Sequence, residues 1–384
     1  MEHFYAIAAL WLGLAVLSSV IAYHLRISIA LIEICVGIVA GTTATFFGVF
    51  ESLGANQEWL QFLASTGTLL ITCLAGTELD PETLETKLKE ISIVGLVSFL
   101  APFFLCTVIA RYVLHWDSQA SLLCGLALST TAISVVYAVM LETGFNKIGF
   151  GKGILGSCFV TNLGTVVGLG LFFAPFTYKT IVFIVATAFV LFLLPRVSHW
   201  LTGKYAYRTS AIRTKWVLFV LFGLGALALW SGSEAVLPAY LVGIVLAEFS
   251  AKDAEGIKRA RSLTMGFLTP FYFIRAGTLV SLPVLATAPL TLLVLLVGNL
   301  FSKIVSLYPV IGYFRRDPKE RWYYTLLMSA GLTFGIIAAI FGLSHQIITQ
   351  EQYSFLVATV IASAVIPAVL ASVVFLPRHL LDRR

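Results

Sequence analysis

Apolar residues run along this chain in stretches of about twenty, a length that crosses a bilayer as a helix, and polar positions fall mainly between the stretches. The stretches are continuous, without the period-2 alternation of a spanning barrel strand. Read between charged or Pro/Gly-containing breaks, the pattern predicts thirteen spans, near residues 4–24, 27–49, 58–77, 91–114, 119–141, 150–173, 178–195, 214–232, 234–250, 262–282, 284–308, 321–345 and 353–377. The fold class is therefore expected to be all-α, polytopic and membrane-embedded.

The charge pattern tests the count. With the N-terminus outside, the inside segments carry all of the 25 lysines and arginines except Arg111 and Lys179, which fall outside, and Arg275 and Lys303, which fall within spans. Cytoplasmic loops collect basic residues, so an odd number of spans and a cytoplasmic C-terminus are expected, in the cell (inner) membrane. The first run lacks a basic segment before it and reads as a retained span. Composition agrees: 59% of the 384 residues are hydrophobic and 11% charged, where a soluble chain has about 25% charged. The net charge of +6 is no nucleic-acid footprint, because the basic residues sit in short loops. Cys35, Cys73, Cys106, Cys124 and Cys158 lie inside spans without metal-ligand spacing and read as small apolar fillers.

Two spans look broken. The fifth carries "LSTTAISVVY", with Ser129, Thr130, Thr131 and Ser134; the twelfth carries "LLMSAGLTFG", with Ser329, Gly331, Thr333 and Gly335. Glycine permits unusual backbone angles, and hydroxyls help satisfy backbone groups freed by unwinding in lipid. The two spans are seven apart and run in opposite directions, as in an inverted repeat whose discontinuous helices cross at the midplane. The alternative is that such residues merely mark helix–helix contacts.

Few ionisable residues lie deep in spans. Glu33, Arg275 and Lys303 would each cost about 2.5 kcal/mol or more facing lipid, so they are expected to face protein or water. Glu33 is expected to pair with one of the two cations. Arg275 offers five donors for the orphan carbonyls of broken helix ends. Lys303, nearer the inner end of its span, has snorkelling as its alternative. Asn162 is almost the midpoint of span six, with Ser157, Thr161 and Thr165 nearby. Gly164 and Gly168 form a small-xxx-small face that admits another backbone. The plain alternative for Asn162 is an interhelical hydrogen bond. A channel would need a continuous polar path, and the polar residues cluster at mid-depth instead. No nucleophile–base pair or metal cluster is evident, so no enzyme activity, catalytic residue or cofactor is expected.

The segments "STTAISVVYAVMLETG", "GILGSCFVTNLGTVVGLGLFF", "SEAVLPAYLVGIVLAE", "PFYFIRAGTLVSL" and "LLMSAGLTFGIIAAIFGLSH" resemble, in order, the monovalent cation:proton antiporter-2 family of NapA-like sodium/proton antiporters and Kef-type potassium/proton transporters. The resemblance covers essentially the whole chain. It implies an NhaA/NapA-like inverted repeat, a homodimer, and exchange of Na⁺ (or Li⁺ or K⁺) for H⁺ by an elevator motion. It also implies dimerisation-domain spans in 1–90, core spans in 91–175, dimerisation and linker spans in 176–283, and core spans with a short cytoplasmic tail in 284–384. Kef-type members carry a soluble nucleotide-binding domain after the last span, and this chain stops at Arg384. The ion and proton site is expected at Asn162, Thr161, Thr131 and Ser134, with Asn162 and Thr131 as cation ligands. Lys303, Arg275 and Glu33 would be its charged partners, and Thr130, Gly331 and Thr333 would mark the crossing.

The family's span-six motif ends in an essential aspartate, and here the pair is Thr161–Asn162. A carboxyl takes either a cation or a proton, and that competition couples the two fluxes. An amide keeps one carbonyl acceptor but loses the charge and the exchangeable proton. Three readings follow: an inactivated antiporter mimicking the protonated state, a natural member with its acid relocated to a residue such as Glu33, or a non-transporting sensor. Lys303, lacking a carboxylate at Asn162, is expected to be neutral or wetted from the inner side.

Overall fold

The computed structural model describes residues 2–25, 29–77, 81–173, 177–205, 212–233, 235–252 and 254–380. The helices are α1 (Glu2–Leu25), α2 (Ile29–Phe46), α3 (Glu58–Thr77), α4 (Pro81–Val108), α5 (Ser118–Leu128), α6 (Ile133–Thr143), α7 (Gly149–Phe173), α8 (Tyr178–Tyr205), α9 (Ile212–Trp230), α10 (Val236–Lys252), α11 (Ala254–Leu263), α12 (Thr269–Thr278), α13 (Leu282–Thr287), α14 (Pro289–Phe314), α15 (Pro318–Ser329), α16 (Thr333–Ser344) and α17 (Gln350–Val373). Every predicted span falls on one of these or on a consecutive pair. Among the described residues, nine helical stretches are long and apolar enough to cross a membrane, and shorter apolar helices occupy Ser118–Leu128, Thr214–Trp230 and Val236–Ala247.

Boundaries differ where polar turns stay helical. The fourth helix runs from Pro81 but kinks at Lys87 (φ −123°, ψ 21°), and its spanning part begins just after that kink rather than near residue 91. This brings Glu90, read from sequence as part of an inside loop, into the helix. The seventh span continues past Pro195 to Tyr205.

The chain divides into two compact units. One comprises Met1–Gln57, Glu82–Thr165 and Phe273–Arg384. Its core is built from Val94, Val136, Met140, Phe145, Phe150, Ile154, Tyr323, Tyr324 and Met328 among others. In it α2 meets Ile274–Thr278 backbone against backbone: a Cβ at Gly37 would strike Ile274 O, one at Gly41 would lie 2.8 Å from Thr278 O, and one at Gly277 would strike Ile34 O. The other unit comprises Glu58–Pro81 and Val166–Tyr272. There α3 packs on α10 through Gly76 and Gly243, over a core that includes Leu70, Leu194, Leu221, Leu224 and Val242.

Both expected breaks are present, at 129–132 between α5 and α6 and at 330–332 between α15 and α16. They meet: Ala132 N donates to Ala330 O at 2.6 Å. Neither Gly331 nor Gly335 takes a positive φ. Their use is close approach instead, since a Cβ at Gly335 would lie 2.7 Å from Ala127 O and one at Gly331 would lie 3.1 Å from Thr130 O. Hydroxyls satisfy the carbonyls freed at the first break: Ser129 Oγ donates to Leu126 O at 2.8 Å and Thr130 Oγ1 to Ala127 O at 3.2 Å, while Ser329 Oγ adds a bond to Thr325 O at 2.7 Å at the end of α15.

Candidate functional site: an amide on a broken helix

Unwinding at 129–132 leaves peptide groups without helical partners, and a buried orphan of that kind is costly. Asn162, 0% exposed on α7, supplies both missing partners at one residue. Thr131 N donates to Asn162 Oδ1 at 3.0 Å, and Asn162 Nδ2 donates to Thr131 O at 2.9 Å. The side-chain amide thus pairs with a main-chain peptide in two directions, which fixes which of its ends is oxygen. The next carbonyl back, Thr130 O, accepts from Lys303 Nζ of α14 at 2.5 Å. Lys303 is 0% exposed, so it neither snorkels nor meets an inner aqueous cavity. No carboxylate pairs with it among the described residues.

The other expected site residues are distributed as follows. Thr131 Oγ1 is buried without a hydrogen-bond partner. Thr161 Oγ1 lies 3.1 Å from Gly95 O and 2.9 Å from Ser157 O, and is held by those backbone carbonyls. The side chain of Ser134 lies outside the described residues. Thr333 opens α16 just after the second break. Gly164 lies under the ring of Phe99, so that face admits a side chain; the α4–α7 backbone approach is made by Gly95 against Ser157 O.

The charged partners are not brought together. Arg275 Nε donates at 2.9 Å to Ala55 O, a loop carbonyl before α3 and not a break of the crossing. Glu33 is 2% exposed and makes no ion pair with Arg275 or Lys303, against the pairing expected from sequence. That expectation followed from the cost of an isolated charge, but residues on different helices meet only where packing brings those faces together.

Three further features were not singled out from sequence. Arg315 grips Glu90 with two nitrogens at 2.7 to 3.1 Å, and its guanidinium lies 5.3 Å from the Phe150 ring centre. Tyr324 OH sits 2.7 Å from Ser157 Oγ and donates toward Gly153 O at 3.3 Å. Asn299, one turn before Lys303 on α14, is buried with neither amide atom bonded. Its signal was available, an amide four residues from a lysine inside an apolar run.

Two broken helices crossing at a buried polar side chain in a membrane-spanning bundle are the discontinuous-helix architecture found in many secondary transporters. Residues 12–375 match the transmembrane sodium/hydrogen exchanger family, and the chain belongs to that family. The probable Na⁺/H⁺ antiporter 3 of Methanocaldococcus jannaschii is 24% identical over 337 residues, covering 84% of this chain and 85% of the relative. The putative Na⁺/H⁺ antiporter YjbQ of Bacillus subtilis is 25% identical over 382 residues, covering 92% of this chain and 60% of the relative. Among solved structures, the sodium proton antiporter MjNhaP1 of Methanocaldococcus jannaschii at pH 8 shares the fold, with TM-score 0.74, 16% identity, and coverage of 98% of this chain and 99% of that one.

Proposed function

We propose that this chain is a monovalent cation/proton antiporter, Na⁺ for H⁺, whose coupling residue is fixed as Asn162 in an equivalent of the proton-loaded state. One observation carries the reading: the reciprocal pairing of Asn162 with the Thr131 peptide. A protonated carboxyl makes the same two bonds, accepting from Thr131 N–H and donating to Thr131 C=O. An ionised carboxylate has no proton to donate and would set an anionic oxygen against a carbonyl oxygen. A carboxyl at this position would therefore lose its hold on the break when it loses its proton. It would then turn to a cation, either Na⁺ or the ammonium of Lys303, which already rests on Thr130 O. The unpartnered Thr131 hydroxyl is a further oxygen ligand for that ion. The amide holds the break permanently and exchanges nothing.

The sodium/proton antiporter relatives support Na⁺ and H⁺ as substrates, and membership of a transporter family argues against enzyme activity. The reading includes a homodimer in the cell membrane, N-terminus outside and C-terminus cytoplasmic as the loop charges suggest. It also includes an elevator movement of the core spans in 91–175 and 284–384. The test is Asn162→Asp, with both forms reconstituted and internal pH followed after a Na⁺ gradient is imposed. Exchange only in the carboxyl form is the expected result. Exchange in both favours a second reading, relocation of the acid to Glu33, a buried carboxyl with no cation partner among the described residues; Glu33→Gln then abolishes it. Exchange in neither form, with both folded, defeats the antiporter reading.

A further inference from the structure

Asn299 is 1% exposed on α14, and neither its Oδ1 nor its Nδ2 has a hydrogen-bond partner. An amide can make about four hydrogen bonds, and leaving it buried with none costs on the order of 1–3 kcal/mol. Such a group in a folded protein calls for something that completes it. Its position says what. Residues four apart share a helix face, and helical side chains lean toward the N-terminus over the preceding turn. On that rule Lys303 shares the face of Asn299, and its amine reaches Thr130 O at the break. The amide thus lies one turn from the residue whose amine sits on a carbonyl of the broken helix, yet it bonds neither. Gly298, beside it, has Ile109 in the space a Cβ would take, so the neighbouring wall is apolar and offers the amide nothing.

We propose that Asn299 is a ligand of the transported monovalent cation, contributing its amide oxygen beside Thr130 O when the ammonium of Lys303 leaves that carbonyl. The cation takes the position next to the break, Thr130 O changes partner from ammonium to metal ion, and Asn299 replaces part of the ion's water shell. The proposal rests on the antiporter reading and adds a ligand from a helix outside the crossing.

The experiment uses the full chain carrying Asn162→Asp as parent, compared with Asn299→Leu and Asn299→Asp added to it. The readouts are the Na⁺ concentration giving half-maximal exchange in vesicles and the Na⁺-dependent rise in melting temperature in detergent, with choline as control ion. Asn299→Leu is expected to raise the half-maximal Na⁺ concentration about ten-fold, the equivalent of about 1.4 kcal/mol, and to shrink the Na⁺-dependent shift. It is also expected to melt higher without Na⁺, since an unpaired amide has been removed. Asn299→Asp keeps an oxygen ligand and adds negative charge, so it is expected to lower the half-maximal Na⁺ concentration below the parent value; a rise like that of Asn299→Leu would overturn the ligand role. A parent that responds to Na⁺ while Asn299→Leu responds identically overturns the proposal and leaves the antiporter reading standing. A parent with neither exchange nor a Na⁺-dependent shift overturns both.

Discussion

Replacing Asn162 separates two jobs done by one side chain, holding the break and answering the proton. In Asn162→Leu the volume is roughly kept, but Thr131 N–H and C=O lose the partners now at 3.0 and 2.9 Å. Each buried orphan costs about 1–3 kcal/mol, so the pair amounts to about 2–6 kcal/mol. In Asn162→Asp the cost depends on the proton. With the acid form, both bonds are remade and stability should match the parent. With the carboxylate, the donor to Thr131 O is gone, and at least one orphan's worth, about 1–3 kcal/mol, is lost. A fold that needs a proton there binds more protons than the unfolded chain, so stability falls as pH rises. The assay is thermal melting of purified protein, followed by loss of the monodisperse chromatographic peak, across a pH series without Na⁺. The variant-minus-parent difference for Asn162→Asp should be near zero in acid and grow negative toward alkaline pH, with Na⁺ reversing the loss at the alkaline end. Asn162→Leu should be destabilised by several degrees at every pH. A difference curve for Asn162→Asp that is flat, or worsens in acid, would refute the idea that the amide stands in for a protonated carboxyl. An Asn162→Leu chain as stable as the parent would refute the two bonds' role in holding the break.

Other expectations follow from the same geometry. Gly335→Ala should lower the melting temperature more than Gly331→Ala, because its Cβ would lie 2.7 Å from backbone at Ala127 O against 3.1 Å from Thr130 O; overpacking of this kind costs about 1–3 kcal/mol. Tyr324→Phe removes the hydroxyl that meets Ser157 Oγ and Gly153 O and should cost about 1 kcal/mol, read as a drop in melting temperature; an unchanged melt would deny those bonds any net worth. Arg315→Met takes from the largely buried Glu90 its bidentate partner, leaving the nearby Lys87 amine as its remaining cation, and should destabilise more than the double change Arg315→Met with Glu90→Leu, because a poorly paired buried charge is worse than none. Equal melts for the single and the double variant would contradict this.

The spans and both breaks were legible in the sequence because lipid imposes a simple rule on backbone. A run of about twenty apolar residues must be helical to satisfy itself, and a knot of Ser, Thr and Gly inside it marks where that rule is relaxed. Asn162 stood out for the same reason, as an amide in an apolar run. Its actual partner did not stand out. Sequence grouped it with Thr131 and Thr161 as one ion site, whereas the amide engages the Thr131 peptide, which every residue possesses and no pattern displays. Charge pairing was less readable still. Glu33, Arg275 and Lys303 were grouped by cost alone, yet Arg275 reaches Ala55 O and Lys303 reaches Thr130 O. The bidentate ion pair of Glu90 with Arg315 joins two residues assigned to inside loops, and depends on the helical stretch after the kink at Lys87 including Glu90. Gly331 and Gly335 are expected from sequence for torsional freedom and serve proximity instead, a distinction that only coordinates draw.

Side chains are what let one helix slide on another, since their rotamers absorb small displacements. The seam between α2 and Ile274–Thr278 has little such lubricant, because Gly37, Gly41 and Gly277 bring bare backbone into contact. Interlocked main chains slip in steps or not at all, so these two stretches behave as one mechanical part. Any relative movement within this unit has to find its plane of slip elsewhere. Glu33, one turn before Gly37, rides on that part as a fixed passenger.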